Sequence, residues 1–126
     1  MDIYSETILD HSRYPHHAGS LTDPTVRISE HNPLCGDTIQ LDVAFDEKGI
    51  LVDLAFIGSG CAISQSSMSL LSDIVLGKHS AEIVSLAASS ALALLGVTLA
   101  PARVKCALLG FTALKKAAIM ENAKRN

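Results

Sequence analysis

Apolar and polar positions divide the chain into an early helix, three strands and a helical second half. Between residues 3 and 13, Ile3, Tyr4, Thr7, Ile8 and His11 recur at i, i+3 and i+4 opposite Ser5, Glu6, Asp10 and Ser12, the stripe of an amphipathic helix. Asp2 stands where an N-cap belongs and Pro15 lies just past the end. After the turn-rich residues 18–24, Val26-Arg27-Ile28-Ser29 alternates as a short strand. Residues 38–45 alternate more fully, with Ile39, Leu41, Val43 and Phe45 on one face and Thr38, Gln40, Asp42 and Ala44 on the other. Asp46-Glu47-Lys48-Gly49 reads as a hairpin loop, and residues 50–57 return as a mostly apolar strand. The expected sheet is three-stranded and antiparallel, with one covered face.

The second half has the helical period. Over residues 62–76, Ile63, Ser67, Leu70, Leu71, Ile74 and Val75 share a side, and Gly77 follows as a C-terminal stop. Ser80 is positioned to cap a helix running to about residue 95, closed by Gly96. A last helix is expected over about 103–120, with Leu108, Phe111, Ala113, Leu114, Ala117 and Ala118 inward and Lys115, Lys116, Glu121 and Lys124 outward, leaving a frayed tail at 122–126. A helix, a sheet and then helices make an α+β domain spanning 1–126.

Composition narrows what such a domain does. The chain has 126 residues, 48% hydrophobic and 18% charged, enough apolar material for a core. A net charge of −3 and 4% aromatic content argue against nucleic acid, which calls for a basic stripe or stacking platforms. Residues 83–102 form an uncharged run of membrane-spanning length, but Ser, Ala, Gly96 and Pro101 punctuate it and no basic cluster flanks it. A buried helix and its exit loop are expected there, and no membrane partner. The opening Met1-Asp2-Ile3-Tyr4-Ser5-Glu6 lacks the basic region of a secretory signal. Three widely spaced cysteines suit reduced thiols, and the expected location is cytoplasmic.

Those cysteines carry the chemistry. Cys35 and Asp37 lie in the turn His31-Asn32-Pro33-Leu34-Cys35-Gly36-Asp37; Cys61 ends a strand and Cys106 follows Pro101, each where a helix is expected to open. Antiparallel pairing of 38–45 with 50–57 brings residues 37 and 58 to one edge of the sheet, so Cys35, Asp37 and Cys61 are expected to be neighbours. Thiolates suit zinc and iron–sulfur clusters, and a carboxylate completes four-coordination as a harder, more exchangeable corner. A helix N-terminus favours a thiolate, and Arg103 and Lys105 add positive charge beside Cys106. Against this, no Cys-x-x-Cys spacing is present, and buried cysteines often act only as small apolar fillers. Asp37 as a turn residue and Lys105 as a solvated one complete that plainer reading. His16 and His17 are adjacent on a loop without a third ligand, and are expected to be solvated. Asp42, Asp46, Glu47 and Asp53 are expected on the surface. No Gly-x-Gly-x-x-Gly, P-loop or Gly-x-Ser-x-Gly element is present.

Three stretches, Asn32-Pro33-Leu34-Cys35-Gly36-Asp37, Gly58-Ser59-Gly60-Cys61-Ala62-Ile63-Ser64 and Arg103-Val104-Lys105-Cys106, resemble the U-type iron–sulfur scaffold family of IscU, SufU and the NifU N-terminal domain. Tyr4 and Asp10-His11 are similar to that family's first helix. The resemblance implies a three-stranded antiparallel sheet packed against helices. It implies that Cys35, Asp37, Cys61 and Cys106 hold a transient [2Fe–2S] cluster or a zinc ion. It also implies sulfur delivery as a persulfide from a cysteine desulfurase, with Cys35 the first candidate acceptor and Cys106 the second, and apo iron–sulfur proteins as recipients.

The chain departs from the pattern in places. Lys105 stands where IscU-like members carry His, as in SufU-like members, yet the separation of 45 between Cys61 and Cys106 lacks the SufU-like insertion. The chaperone-binding Leu-Pro-Pro-Val-Lys stretch appears as Leu99-Ala100-Pro101-Ala102-Arg103-Val104-Lys105, so a chaperone partner is not assigned. Arg13-Tyr14-Pro15-His16-His17 replaces Asn-Pro-Arg-Asn after the first helix. The functions in play are a cluster scaffold, a zinc-dependent sulfur acceptor and a structural zinc module.

Overall fold

Side-chain hydrogen bonding sets where the first helix begins. In the computed structural model, which describes residues 5–33 and 36–125, α1 spans Glu6–Arg13 and its N-cap is Ser5, whose Oγ accepts the Ile8 N–H at 3.4 Å. Asp2, the expected cap, lies outside the described residues. Three strands follow, β1 (Val26–Asn32), β2 (Asp37–Phe45) and β3 (Leu51–Ser59), then α2 (Ala62–Val75), α3 (Ser80–Val84), α4 (Ala88–Ala93), α5 (Pro101–Ala107) and α6 (Leu109–Lys124).

The sheet has the order β1-β2-β3 and is antiparallel throughout. Asn32 pairs with Asp37 at one end of β1–β2, and Thr38 pairs with Ser59 at the same end of β2–β3. Alternation works as expected on the inner face: Ile39, Leu41, Val43 and Phe45 join Leu54 and Phe56 against Met68, Leu71 and Val75 of α2 and Phe111, Leu114, Ala117 and Ala118 of α6. Small residues let α6 approach closely. A Cβ on Gly110 would meet the Met68 side chain.

The outer face holds a correction. Asp42, expected at the surface, is only 1% exposed. The segment after α1 crosses that face: Gly19 N–H donates to Phe56 O, Leu21 N–H donates to Asp42 Oδ2 at 2.9 Å, and Thr25 N–H donates to Val43 O. Arg27 adds Nε to Oδ1 at 2.7 Å and Nη2 to Oδ2 at 2.9 Å. These Arg27 bonds, helped by the Leu21 N–H and opposed by burial, hold the Asp42 carboxyl below its ordinary value. A strand's period assigns a face, but it does not show which loop will cover that face.

The helical half departs further. The helix expected over 80–95 is two short ones: α3 ends at Val84 with Ser85 as its C-cap, whose hydroxyl donates to Ala81 O and Glu82 O, and α4 begins after Ala87. The cap of α3 is His79, whose Nδ1 accepts the Ala81 N–H at 3.0 Å while Glu82 Oε1 accepts the His79 N–H at 3.1 Å. Ser80, the expected cap, is instead buried in the first turn. Pro101 opens α5 earlier than expected, as its fixed φ suits the first helical position, and a break at Leu108 separates α6.

The expected frayed tail is helical to Lys124. Arg125 donates to Glu121 Oε2 at 2.9 Å, Glu47 O at 2.8 Å and Asp46 O at 2.6 Å, which buries Glu121 rather than leaving it outside. Ile74, expected inside, is exposed. The buried sides of α2 instead carry serines, which bond to backbone: Ser66 to Ala62 O, Ser72 to Ser69 O and Ser67 to Ala107 O. Among the described residues, no helix is long and apolar enough to cross a membrane.

Asp42→Asn is expected to cost about 1–2 kcal/mol at neutral pH by weakening charge-assisted bonds. A carboxylate whose folded pKa is lowered contributes stability that is complete above its ordinary value of 3.8 and is lost as the pH falls below it. Thermal melts should therefore show the gap between wild type and variant closing as the pH is taken below 3.8.

Candidate metal centre

The pairing of Thr38 with Ser59 dictates what meets at the end of the sheet. It sets Asp37, the first residue of β2, beside Gly60, which follows β3. Cys61 comes next as the N-cap of α2. Across from them, the last turn of α5 presents Cys106. One ligand atom from each of Asp37, Cys61 and Cys106 lies within 4.8 Å of the others. Asp37 and Cys106 are each 3% exposed, whereas Cys61 is partly open.

Asp37 and Cys61 are joined twice. The Cys61 thiol donates to Asp37 Oδ2 at 3.2 Å, and the Cys61 backbone N–H donates to Asp37 Oδ1 at 3.3 Å. The Cys61 side chain makes no capping bond itself, so a carboxylate from the neighbouring strand receives the N-cap N–H. Negative charge is favourable beside a helix N-terminus, which suits Asp37 to that place.

Gly60 makes this arrangement possible. Its φ is +151°, and a Cβ there would fall on the Asp37 carboxyl group. A side chain at residue 60 therefore excludes Asp37 from its position. A Gly between a strand and a thiol was the available signal in the sequence, and the reading above gave it no role.

Cys106 does not open a helix as expected. Pro101 starts α5 five residues earlier, so Cys106 lies in the final turn with Sγ 3.7 Å from Ala102 O. Its surroundings are apolar: Ile8 of α1, Ile63 of α2, Leu95 and Ala107 form one buried cluster with it. Lys105, one residue away and about 100° around the helix, is exposed and lines a cleft with His31, Pro33 and Thr112. Arg103 is half-buried in the same helix. Cys35 lies outside the described residues; beside it, Gly36 N–H donates to Asn32 O at 2.8 Å.

The histidines form a separate arrangement. His16 and His17 are exposed, as expected, and both reach Asp73 of α2, His16 Nδ1 at 2.6 Å from Oδ2 and His17 Nε2 at 3.2 Å from Oδ1. His11 Nδ1 lies 2.7 Å from Ser69 Oγ, which also accepts the His16 N–H. Burial, then the neighbouring His16, lowers the His11 pKa, against Asp73 and Asp10. These contacts fix the end of α1 against α2.

Residues 3–126 match the family model of the NifU-like N-terminal domain. The chain belongs to that family. This NifU-like domain is 39% identical over 132 residues to the iron-sulfur cluster assembly scaffold protein IscU of Streptococcus pyogenes serotype M1, covering 91% of this chain and 82% of that one. It is 33% identical over 136 residues to the zinc-dependent sulfurtransferase SufU of Bacillus subtilis strain 168, covering 94% and 91%. The crystal structure of FiSufU from Fervidobacterium islandicum AW-1 superimposes with a TM-score of 0.80 at 30% identity, covering 92% of this chain and 96% of that one. The expected α+β architecture, with a helix, an antiparallel sheet and then helices, is the observed one.

The donor set of the NifU-like domain fits a soft or borderline metal. Two thiols and a carboxylate converge, and such donors suit zinc or iron held with sulfide. Gly60→Ala is expected to displace Asp37 and weaken zinc binding about ten-fold or more. Gly19 also has a positive φ, +127°, but opens on empty space, so Gly19→Ala should lower the melting temperature while leaving zinc affinity unchanged. Competition titration against a chromophoric chelator reads both.

Proposed function

We propose that this NifU-like domain is a scaffold on which an iron–sulfur cluster is built and from which it is passed to apo-proteins. One observation carries the reading: a buried carboxylate and two thiols from three separate parts of the chain converge within 4.8 Å. Cys61 and Cys106 supply thiolates, Asp37 supplies the harder corner, and Cys35 supplies the third sulfur. Sulfur arrives from the persulfide of a cysteine desulfurase and becomes sulfide by taking two electrons per sulfur from an external thiol reductant.

The protein's own part is to position donors and exclude water. Ile8, Ile63, Leu95 and Ala107 wall one side of Cys106, slowing loss of a bound cluster to solvent. Partly open Cys61 leaves a side for delivery and release. Asp37 keeps Oδ1 on the Cys61 N–H, while Oδ2, which accepts from the Cys61 thiol, would turn toward iron once that thiol gives up its proton and binds the metal. A carboxylate binds iron less tenaciously than a thiolate does, so release begins at Asp37.

A second reading is a zinc-dependent sulfur acceptor. Lys105, where a His would offer another metal ligand, and the sulfurtransferase name of the Bacillus subtilis relative favour it. Cys35, Asp37, Cys61 and Cys106 would hold the zinc, which supplies charge to keep thiolates formed. Cys35, with Cys106 as the alternative, would attack the outer sulfur of the desulfurase persulfide, taking that sulfur and returning the desulfurase thiolate.

Anaerobic incubation with a cysteine desulfurase, cysteine and ferrous iron separates the readings. The scaffold predicts visible absorption with stoichiometric iron, falling at least ten-fold in Cys61→Ser and Cys106→Ser. Asp37→Ala is expected to keep the cluster and slow its transfer to an apo-ferredoxin about ten-fold. Tightly held zinc, no cluster and faster desulfurase turnover would establish the acceptor instead. Absence of both cluster and sulfur uptake would overturn both.

A further inference from the structure

We propose that Ser64 positions and tunes the metal-bound sulfur of Cys61, its hydroxyl turning from the Cys61 carbonyl to the Cys61 sulfur when that sulfur becomes an anionic ligand. The assignment rests on the proposed function above.

Ser64 occupies the first turn of α2 and is only 7% exposed. Its Oγ donates to Cys61 O at 3.1 Å and lies 3.9 Å from Cys61 Sγ. One hydroxyl therefore has two acceptors within reach on the same residue. Cys61 gives both its donors, N–H and S–H, to Asp37. Once a metal replaces the thiol proton, the anionic sulfur faces a carboxylate that was its acceptor and that offers it no proton. The sulfur then gains from a new donor, and Ser64 is placed to be one.

The exchange leaves no backbone group stranded. Cys61 O also accepts the Gln65 N–H at 3.3 Å, so it keeps a partner when the serine turns away. The new bond ends on an ion in a largely buried site, where charge-assisted bonds are the stronger kind. The other serines of this helix differ, Ser69 meeting His11 and the His16 N–H instead. Ser66 bonds Ala62 O and Ile63 O, Ser67 bonds Ala107 O and Ser72 bonds Ser69 O, each on a carbonyl with no sulfur in the pair.

A hydrogen bond to a ligating thiolate draws electron density from the sulfur. It fixes the sulfur's orientation, and in iron–sulfur centres such bonds raise the reduction potential. In a cobalt(II) derivative the same effect moves the thiolate-to-cobalt charge-transfer band to higher energy. Cobalt therefore reports on this bond without requiring scaffold activity.

The test is anaerobic titration with cobalt(II) of wild type and four variants, Ser64→Ala, Ser64→Thr, Ser64→Val and Ser66→Ala. Thr and Val have nearly the same shape and differ in the hydroxyl, so they carry the test even if the alanine variant does not fold. Ser64→Ala and Ser64→Val should bind cobalt about ten-fold more weakly and shift the charge-transfer band to lower energy. Ser64→Thr should match wild type in both, and Ser66→Ala should leave the band in place. An unmoved band in Ser64→Val overturns the proposal, even with weaker binding, because a merely structural loss would do the same. Val and Thr variants that shift alike overturn it as well. If wild-type protein binds no cobalt, the function reading falls and this assignment falls with it.

Discussion

The Asp37 carboxylate, held between β2 and the first residue of α2, is the contact on which the site depends. It is buried, it accepts two hydrogen bonds from Cys61, and it sits where only a glycine at residue 60 leaves room. Burying a carboxylate is costly unless its oxygens are satisfied. Here the satisfaction comes from a group that is itself a candidate ligand. The same contact that reconciles Asp37 with burial also brings a sulfur and an oxygen to one point.

Strand pairing and helix packing supply the remaining precision. The antiparallel register fixes Asp37 against the β3 exit, and the apolar cluster around Ile8 and Ile63 fixes Cys106 from the other side. Rigid elements hold both flanks, while Cys61 stays partly open. Such a division suits a site that must be preformed in part and yet admit and release what it holds.

The sheet was legible in the sequence because alternation over 38–45 and the hairpin residues 46–49 agree with each other. Pairing of those strands was enough to put Asp37 near Cys61. Cys106 was misplaced because Pro101 reads as easily as a break before a helix as it does as its first residue. The split between α3 and α4 falls at Ser85–Ala87 within a run that keeps its apolar character throughout, so periodicity does not register it. Asp42 was misread, and the shared partner of the exposed pair His16 and His17 was missed, for one reason. Each is matched by a residue far along the chain, Arg27 and Asp73, and local pattern is blind to such partners.

The separation of the converging residues bears on how the protein is made. A chain synthesised from its N-terminus produces α1 first, yet Ile8 of that helix packs against Leu95, Cys106 and Ala107. The first helix therefore has no complete seat until residues 95–107 have left the ribosome. Asp37 and Cys61 can meet earlier, but they lack their third partner until residue 106 emerges. Long-range closure of this kind gives the nascent chain only a partial site to offer until that residue is in place.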